Sequence, residues 1–203
     1  HHVMLSYGFK ISDNMNMKIE PYFQQLYDVP VIADSSYSVL NRRDFYVENA
    51  LVNRGKGRNI GVDITLERYL NKGLYYMVTA SIFDSKYYGG DRKWRNTLYN
   101  RNFIINVLGG KEWMVGRDKQ NMFSVNFKIT LQGGDRYAPV DEVATLLDPD
   151  REVQYDETKA FSKQFSPMFI TNFSVGYKIN RKKVSHEFSI KSLNTTGCEE
   201  YYG

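Results

Sequence analysis

The chain has 203 residues, a net charge of +4 and a mean hydropathy of -0.51. No uncharged apolar run approaches the ~18 residues of a transmembrane helix, which excludes a helical membrane protein but not a β-barrel, where only alternate residues meet lipid. The basic residues Arg42, Arg43, Arg54, Lys56, Arg58, Arg181, Lys182 and Lys183 sit mostly in turns, against the concentrated stripe of a nucleic-acid reader, and the single cysteine, Cys198, allows neither an intrachain disulfide nor a metal cluster.

Taken in order, the chain alternates. Val3, Leu5, Tyr7, Phe9 and Ile11 share one parity, with Met4, Ser6, Gly8 and Lys10 on the other. A period of two means strands. Ser12-Asp13-Asn14 is turn chemistry. A second strand follows over 15–27, with Met17, Ile19 and Phe23 against Lys18, Glu20, Tyr22 and Gln24. Pro21 lies within it and predicts a bulge or local break, because proline cannot donate to the ladder. Residues 28–58 show no sustained period and read as a long connection. Strands at 59–70 and 74–86 flank the turn Asn71-Lys72-Gly73, whose Asn and Gly tolerate positive φ. Residues 87–102 are a second mixed connection. Strands at 103–115 and 122–132 flank a short polar turn. The stretch 133–167 is the longest connection and is acidic in its middle. Strands at 168–179 and 184–194 close the series around the basic turn Asn180-Arg181-Lys182-Lys183.

These elements make an all-β, antiparallel, up-and-down arrangement of about eight long strands. Short turns and long connections alternate, so all short turns fall at one end. That asymmetry is the pattern of a transmembrane β-barrel segment with short periplasmic turns and long extracellular loops. A soluble sandwich has more even turn spacing. Lys18, Glu20, Asp63, Glu67, Lys128, Glu187 and Lys191 all fall on the inner parity. So many charges would crowd an eight-stranded interior, which favours an arc of a larger barrel. Tyr75, Tyr76, Tyr177 and Trp113, near strand ends, read as interfacial girdle residues. No basic n-region or apolar h-region precedes the first strand, so the start reads as cytoplasmic or as continuing from upstream sequence.

Covalent chemistry finds little support. Ser185 and His186 are adjacent in a strand and point to opposite faces, and the other histidines are His1 and His2. A nucleophile and its base must converge. Gly109-Gly110-Lys111 leads into more strand rather than into a helix N-terminus. The carboxylates of 137–142 and 148–156 fit no EF-hand spacing. The reading is therefore non-enzymatic, with no cofactor and no metal site. Candidate ligand-facing residues lie in the long connections: Tyr37, Arg42 and Arg43 in the first, and Asp91, Arg92, Trp94 and Arg95 in the second. In the latter, charge beside an aromatic platform suits a sugar or a chelate.

Five stretches carry a family resemblance: HHVMLSYGFKISDNMNMKIEPYFQQLYDVPV, NIGVDITLERYLNKGLYYMVTASIFDSKY, WRNTLYNRNFIINVLGGKEW, GGDRYAPVDE and SPMFITNFSVGYKINRKKVSHEFSIKSLN. In this order the chain resembles the C-terminal barrel region of TonB-dependent outer-membrane receptors. The resemblance implies that residues 1–203 are part of a larger barrel whose plug domain and closing strand lie outside this sequence. It implies a Gram-negative outer membrane and contact with outer-membrane lipid. It also implies TonB-coupled uptake of a scarce solute such as an iron chelate, cobalamin or an oligosaccharide, and a possible surface-lipoprotein partner. Three rivals stand beside it: a small self-contained barrel with a structural or adhesive role, a soluble lipid- or ligand-binding β-domain, and, weakest for want of an available base, an outer-membrane hydrolase.

Overall fold

The computed structural model describes residues 1–42, 47, 49–150 and 152–199. The chain is all-β, and its main element is one antiparallel sheet. In chain order the strands are β1 (His2–Met4), β2 (Tyr7–Ser12), β3 (Met15–Ile32), β4 (Leu51–Asn71), β5 (Leu74–Tyr88), β6 (Trp94–Asn96), β7 (Phe103–Val115), β8 (Asn121–Gln132), β9 (Arg136–Tyr137), β10 (Lys163–Gln164), β11 (Met168–Asn180) and β12 (Ser185–Ser192). The path across the sheet is β1–β3–β4–β5–β7–β8–β11–β12, with β2 continuing β1 along β3 and β6 added to β5. Long strands therefore pair with their sequence neighbours, which is an up-and-down meander. The sheet is open. Among the described residues β12 pairs only with β11, and β1 and β2 only with β3. The structure thus shows an open antiparallel sheet, and among the described residues it does not close into the expected barrel.

Five strands keep the predicted bounds to within a few residues, at 103–115, 122–132, 168–179, 184–194 and, at its turn end, 74–86. The connection expected at 28–58 is corrected. β3 runs on to Ile32 and β4 starts at Leu51, so these strands are 18 and 21 residues long and the true connection is 33–50. Alternation is hidden there by a bulge. Register shifts between Leu26 and Val29, and Asp28 has φ 54°. Tyr27 and Asp28 are both exposed, after which Val29 and Val31 are buried, so the parity reverses. An extra residue in one strand does this by definition.

Pro21 does not break its own strand. β3 is continuous through it and pairs Pro21 with Val62. The interruption falls on the neighbouring strand, at Leu5 and Ser6, between β1 and β2. The Leu5 N–H donates to the Pro21 carbonyl at 3.1 Å. In an antiparallel pair both groups of a residue point the same way. The donor that Pro21 lacks is therefore the one that would have bonded Leu5, on the edge side of the sheet.

Cross-strand register puts the apolar parity on one face. Tyr7, Ile19, Ile64, Ala80, Ile105, Leu131 and Phe169 form one row across seven strands. Among the described residues nothing covers this face. Leu5 is 67 % exposed, Ile82 60 %, Phe173 47 % and Ile190 81 %. The other face is tied by side-chain hydrogen bonds from strand to strand. Asn59 donates to Gln24 at 2.8 Å, Ser85 to Asn59 at 2.6 Å and Thr97 to Ser85 at 2.9 Å. Thr130 donates to Asn106 at 2.8 Å and Tyr75 to Asn126 at 2.7 Å. Tyr75 thus belongs to the polar face and not to a girdle; it neighbours Tyr76, and adjacent strand residues point to opposite faces.

The short turns at 13–14, 72–73, 116–120 and 181–184 lie at one end of the meander, and the connections 33–50, 89–102 and 133–167 at the other. The buried side chains gather among these connections and the strand ends that meet them: Val29, Val31, Tyr87, Leu98, Ala160 and Met168, with Ser38, Arg95, Thr97, Asn100 and Asp135. Among the described residues the sheet body has no second layer, and the buried side chains lie at the loop end.

Candidate ligand-binding site in the long connections

The three long connections lock together. Gly90 sits against the Ile32 carbonyl and Gly133 against the Arg101 carbonyl, and a Cβ at either would collide with that backbone oxygen. These contacts hold the second connection against the first and the third against the second. Asp91 N–H donates to the Ser35 carbonyl at 3.0 Å, and Leu98 N–H to the Asn41 side-chain oxygen at 2.8 Å. Arg101 donates to Asp135 at 2.6 Å, and Arg136 donates to the Asn100 carbonyl and to Asn102. Ser35 donates to Glu157 at 3.2 Å, joining the first connection to the third.

The third connection is not featureless acidic coil. It holds α1 (Glu142–Leu147), a 3₁₀ turn at Glu157–Lys159, and the β9–β10 pair. Its carboxylates accept backbone hydrogen bonds: Asp141 from Ala144 N–H, Asp148 from Asp150 N–H and Asp156 from Thr158 N–H, each at 2.9 Å. These are caps and Asx turns, the local role short acids play best. Among the described residues no three His, Cys, Asp or Glu side chains gather as metal ligands would.

Between the first and third connections lies a cleft of about 800 Å³. Tyr37, Asn41 and Arg42 line one side, and Arg136, Tyr155 and Phe165 line the other. The Tyr37 hydroxyl and Asn41 Nδ2 are buried without a hydrogen-bond partner among the described residues. Buried polar atoms are nearly always paired, so two orphans in one cleft mark a place where a ligand or water supplies the missing contact. Burial lowers the Arg136 pKa from its ordinary value, and Asp84 acts in the opposite direction. Guanidinium remains a cation and a donor there. The cleft therefore offers cations, hydroxyls, an amide and aromatic faces. That chemistry binds and orients a polar or anionic solute; no histidine lines it to act as a base.

The predicted site residues divide. Tyr37 and Arg42 line the cleft; Arg43 lies outside the described residues. Asp91 and Arg95 form a bidentate pair, and Arg95 also reaches the Thr158 carbonyl at 3.4 Å. Their side chains are 19 % and 7 % exposed. Arg95 hydrogen bonds hold the Asp91 carboxyl below its usual range, and the pairing raises Arg95 in turn. This pair braces the second connection against the third and does not face the cleft. Arg92 sits in the turn with φ 62°. Trp94 is on the apolar face of the sheet, with its ring 5.5 Å from Tyr88 and Arg58 5.4 Å above it. The charged-aromatic platform expected over 91–95 is therefore split between two places. Sequence reading missed Asn41, Arg136, Tyr155 and Phe165. The one signal for them was the Gly133-Gly134 pair, which permits the close approach that brings the third connection in.

No family model, curated protein or solved structure matches the chain.

Proposed function

We propose that the chain is part of the wall and outer loops of an outer-membrane receptor of the TonB-dependent kind. It binds a scarce polar solute, such as an iron chelate, cobalamin or an oligosaccharide, on the cell exterior for TonB-coupled uptake. A surface lipoprotein is a further partner of such a receptor. The uncovered apolar face is the observation that carries this reading. In water a continuous apolar patch of this extent is a liability; facing lipid it is the requirement.

The face has the right height. On β4 the apolar parity Ile60, Val62, Ile64 and Leu66 is bounded by Arg58 and Arg68. The apolar rows Ile60 to Leu66 occupy about 20 Å of the strand, and the ten rises of ~3.4 Å between the bounding cations Arg58 and Arg68 span about 34 Å. At the tilt of roughly 40° usual in such barrels this becomes about 26 Å, against a lipid-facing band of ~25 Å. The hydrogen-bonded polar face suits a wet lumen. The two open sheet edges suit an arc of a larger barrel, because unpaired strand edges cannot remain in hydrocarbon. The knitted loop end, with its cleft, is where an external solute would be met.

Reconstituting the intact barrel that carries this segment into phosphatidylcholine vesicles tests this. The expected result is carbonate-resistant association, a β-sheet circular dichroism spectrum and trypsin protection of the strands. A stable, monomeric, detergent-free solution with the same spectrum would overturn the reading.

A further inference from the structure

The cleft between the first and third connections restricts what can fill it. Leu98 of the second connection is buried and lines the cleft. Its N–H donates to Asn41 Oδ1 at 2.8 Å, and its carbonyl accepts from the Arg136 N–H at 3.1 Å. One residue thus draws Asn41 and Arg136 together from the two walls. The bond from Leu98 also fixes which way the Asn41 amide points. Exchanging its ends would set NH2 against the Leu98 N–H, donor against donor. The orphaned atom is therefore Nδ2, a donor without an acceptor. The Tyr37 hydroxyl, the second orphan, can donate as well. Arg136 spends Nε on the Asn100 carbonyl and Nη2 on Asn102, and Nη1 bonds nothing among the described residues. The cleft therefore asks for acceptor oxygens. Among its described lining residues two cations, Arg42 and Arg136, stand against one carboxylate, Glu157, which already accepts from Ser35 Oγ at 3.2 Å.

The walls set the rest. Ile32, Leu98, Ala138, Val140, Ala160 and Phe161 line the cleft without a polar side-chain atom. Tyr137 and Phe165 add a stacked pair of rings with centroids 4.3 Å apart. A sugar carries hydroxyls around its whole rim, and burying them against such walls leaves them unpaired. An apolar body with its oxygens gathered at one end leaves none unpaired. The volume of about 800 Å³ is that of a site for a drug-sized ligand.

We propose that the cleft is selective for an apolar-bodied carboxylate, an aryl or branched-alkyl acid. Its oxygens meet Asn41 Nδ2, the Tyr37 hydroxyl and the Arg136 guanidinium, and its body lies on the Tyr137 and Phe165 rings. This selectivity rests on the solute-binding reading above and excludes the oligosaccharide from it. Asn41 determines the specificity, because one substitution reverses the sign of its free atom. Asn41→Asp keeps an oxygen for the Leu98 N–H and puts an acceptor where the donor was.

Calorimetric titration of the intact barrel that carries this segment, in detergent micelles, tests the proposal with 2-naphthoate, 2-naphthylmethylammonium and maltotriose. Partition into the micelle is common to all variants, so differences between variants report the cleft. The expected result is that 2-naphthoate binds the unsubstituted barrel more tightly than either of the other two. Asn41→Asp weakens 2-naphthoate by about ten-fold or more, the scale of a lost hydrogen bond to a charged group, and strengthens the ammonium compound. Tyr37→Phe keeps the ring, removes only the orphaned hydroxyl and weakens 2-naphthoate by about five-fold. Tighter binding of maltotriose than of 2-naphthoate would overturn the carboxylate class and leave the receptor reading standing. Absence of 2-naphthoate binding, or binding that neither substitution changes, would overturn it as well. The vesicle experiment above bears on the receptor reading alone, so the two can fail separately.

Discussion

At the scale of single residues, polar side chains divide into braces and orphans. Asp91 and Arg95 are a brace: bidentate, little exposed and linked to the third connection through Thr158. Asp91→Asn is expected to lose about 1.5–3 kcal/mol, the range for hydrogen bonds to charged groups, seen as earlier chemical unfolding and easier proteolysis within 89–102. The Tyr37 hydroxyl is an orphan. Tyr37→Phe should leave unfolding unchanged or shift it up by about 1 kcal/mol, because it removes a desolvated group that gains nothing in the empty cleft, while weakening binding of any solute that uses the hydroxyl. Thermal unfolding distinguishes the two residues by sign. Both Asp91 and Asp156 titrate below the usual carboxylate range. Asp91 is held there chiefly by Arg95; Asp156 is lowered to about 2, first by the Thr158 hydroxyl and then by Lys159. A depressed folded value means stabilisation that is complete above the ordinary value of 3.8 and vanishes as pH falls toward about 2. Exchange protection at the Thr158 amide, which bonds Asp156, should therefore drop between about pH 4 and pH 2, and that at the Lys93 amide, which bonds Asp91, should drop as pH falls below the ordinary carboxylate value, while that of β8 persists. Unchanged protection would refute the link.

At the scale of elements, irregular features have local causes with displaced effects. Pro21 withholds a donor from Leu5, so the gap opens in the edge strand and β3 stays whole. Pro21→Ala should extend protection through residue 21 and join β1 to β2, with a gain of up to about 1 kcal/mol, the net worth of one hydrogen bond. β12 shows the opposite situation: it is exposed along its length and, among the described residues, bonded on one side only. Alternate amides of Ser185–Ser192 should exchange quickly in hydrogen-exchange mass spectrometry while the amides of β8, paired on both sides by β7 and β11, exchange slowly. Uniform protection along β12 would mean that its edge acquires a partner in solution.

At the scale of the whole molecule, the two faces of the sheet differ among the described residues. Its bare face is apolar, its polar face is internally hydrogen-bonded, and its core is confined to the loop end. One substitution reads out which solvent the bare face meets. Phe173 lies mid-strand on β11, 47 % exposed. In water Phe173→Arg would change stability by no more than about 0.5 kcal/mol, as exposed substitutions usually do. Against lipid it is expected to cost about 2–4 kcal/mol, the midplane penalty for a lipid-facing Arg or Lys. Urea titration of the intact barrel reconstituted in vesicles measures the difference.

Period-two alternation, read directly from residues such as Phe123 to Leu131, was enough to place eight strands, their order and their two faces. This works because side-chain direction in a strand depends only on parity, which is a local property. The same logic failed at Tyr27–Asp28, where one extra residue reverses parity and hides that the two ends of 28–58, at 28–32 and 51–58, are strand. It could not assemble the cleft, since Asn41, Arg136, Tyr155 and Phe165 are far apart in sequence and meet only when Gly90 and Gly133 let three connections close on one another. Nor could it separate Trp94 from Asp91 and Arg95. Proximity in sequence suggested one platform, whereas β6 pairing with β5 turns the ring to the apolar face and the neighbouring guanidinium inward. Local periodicity determined strands and faces; long-range packing decided which loop residues share a site, because that depends on backbone contacts between segments no single window contains.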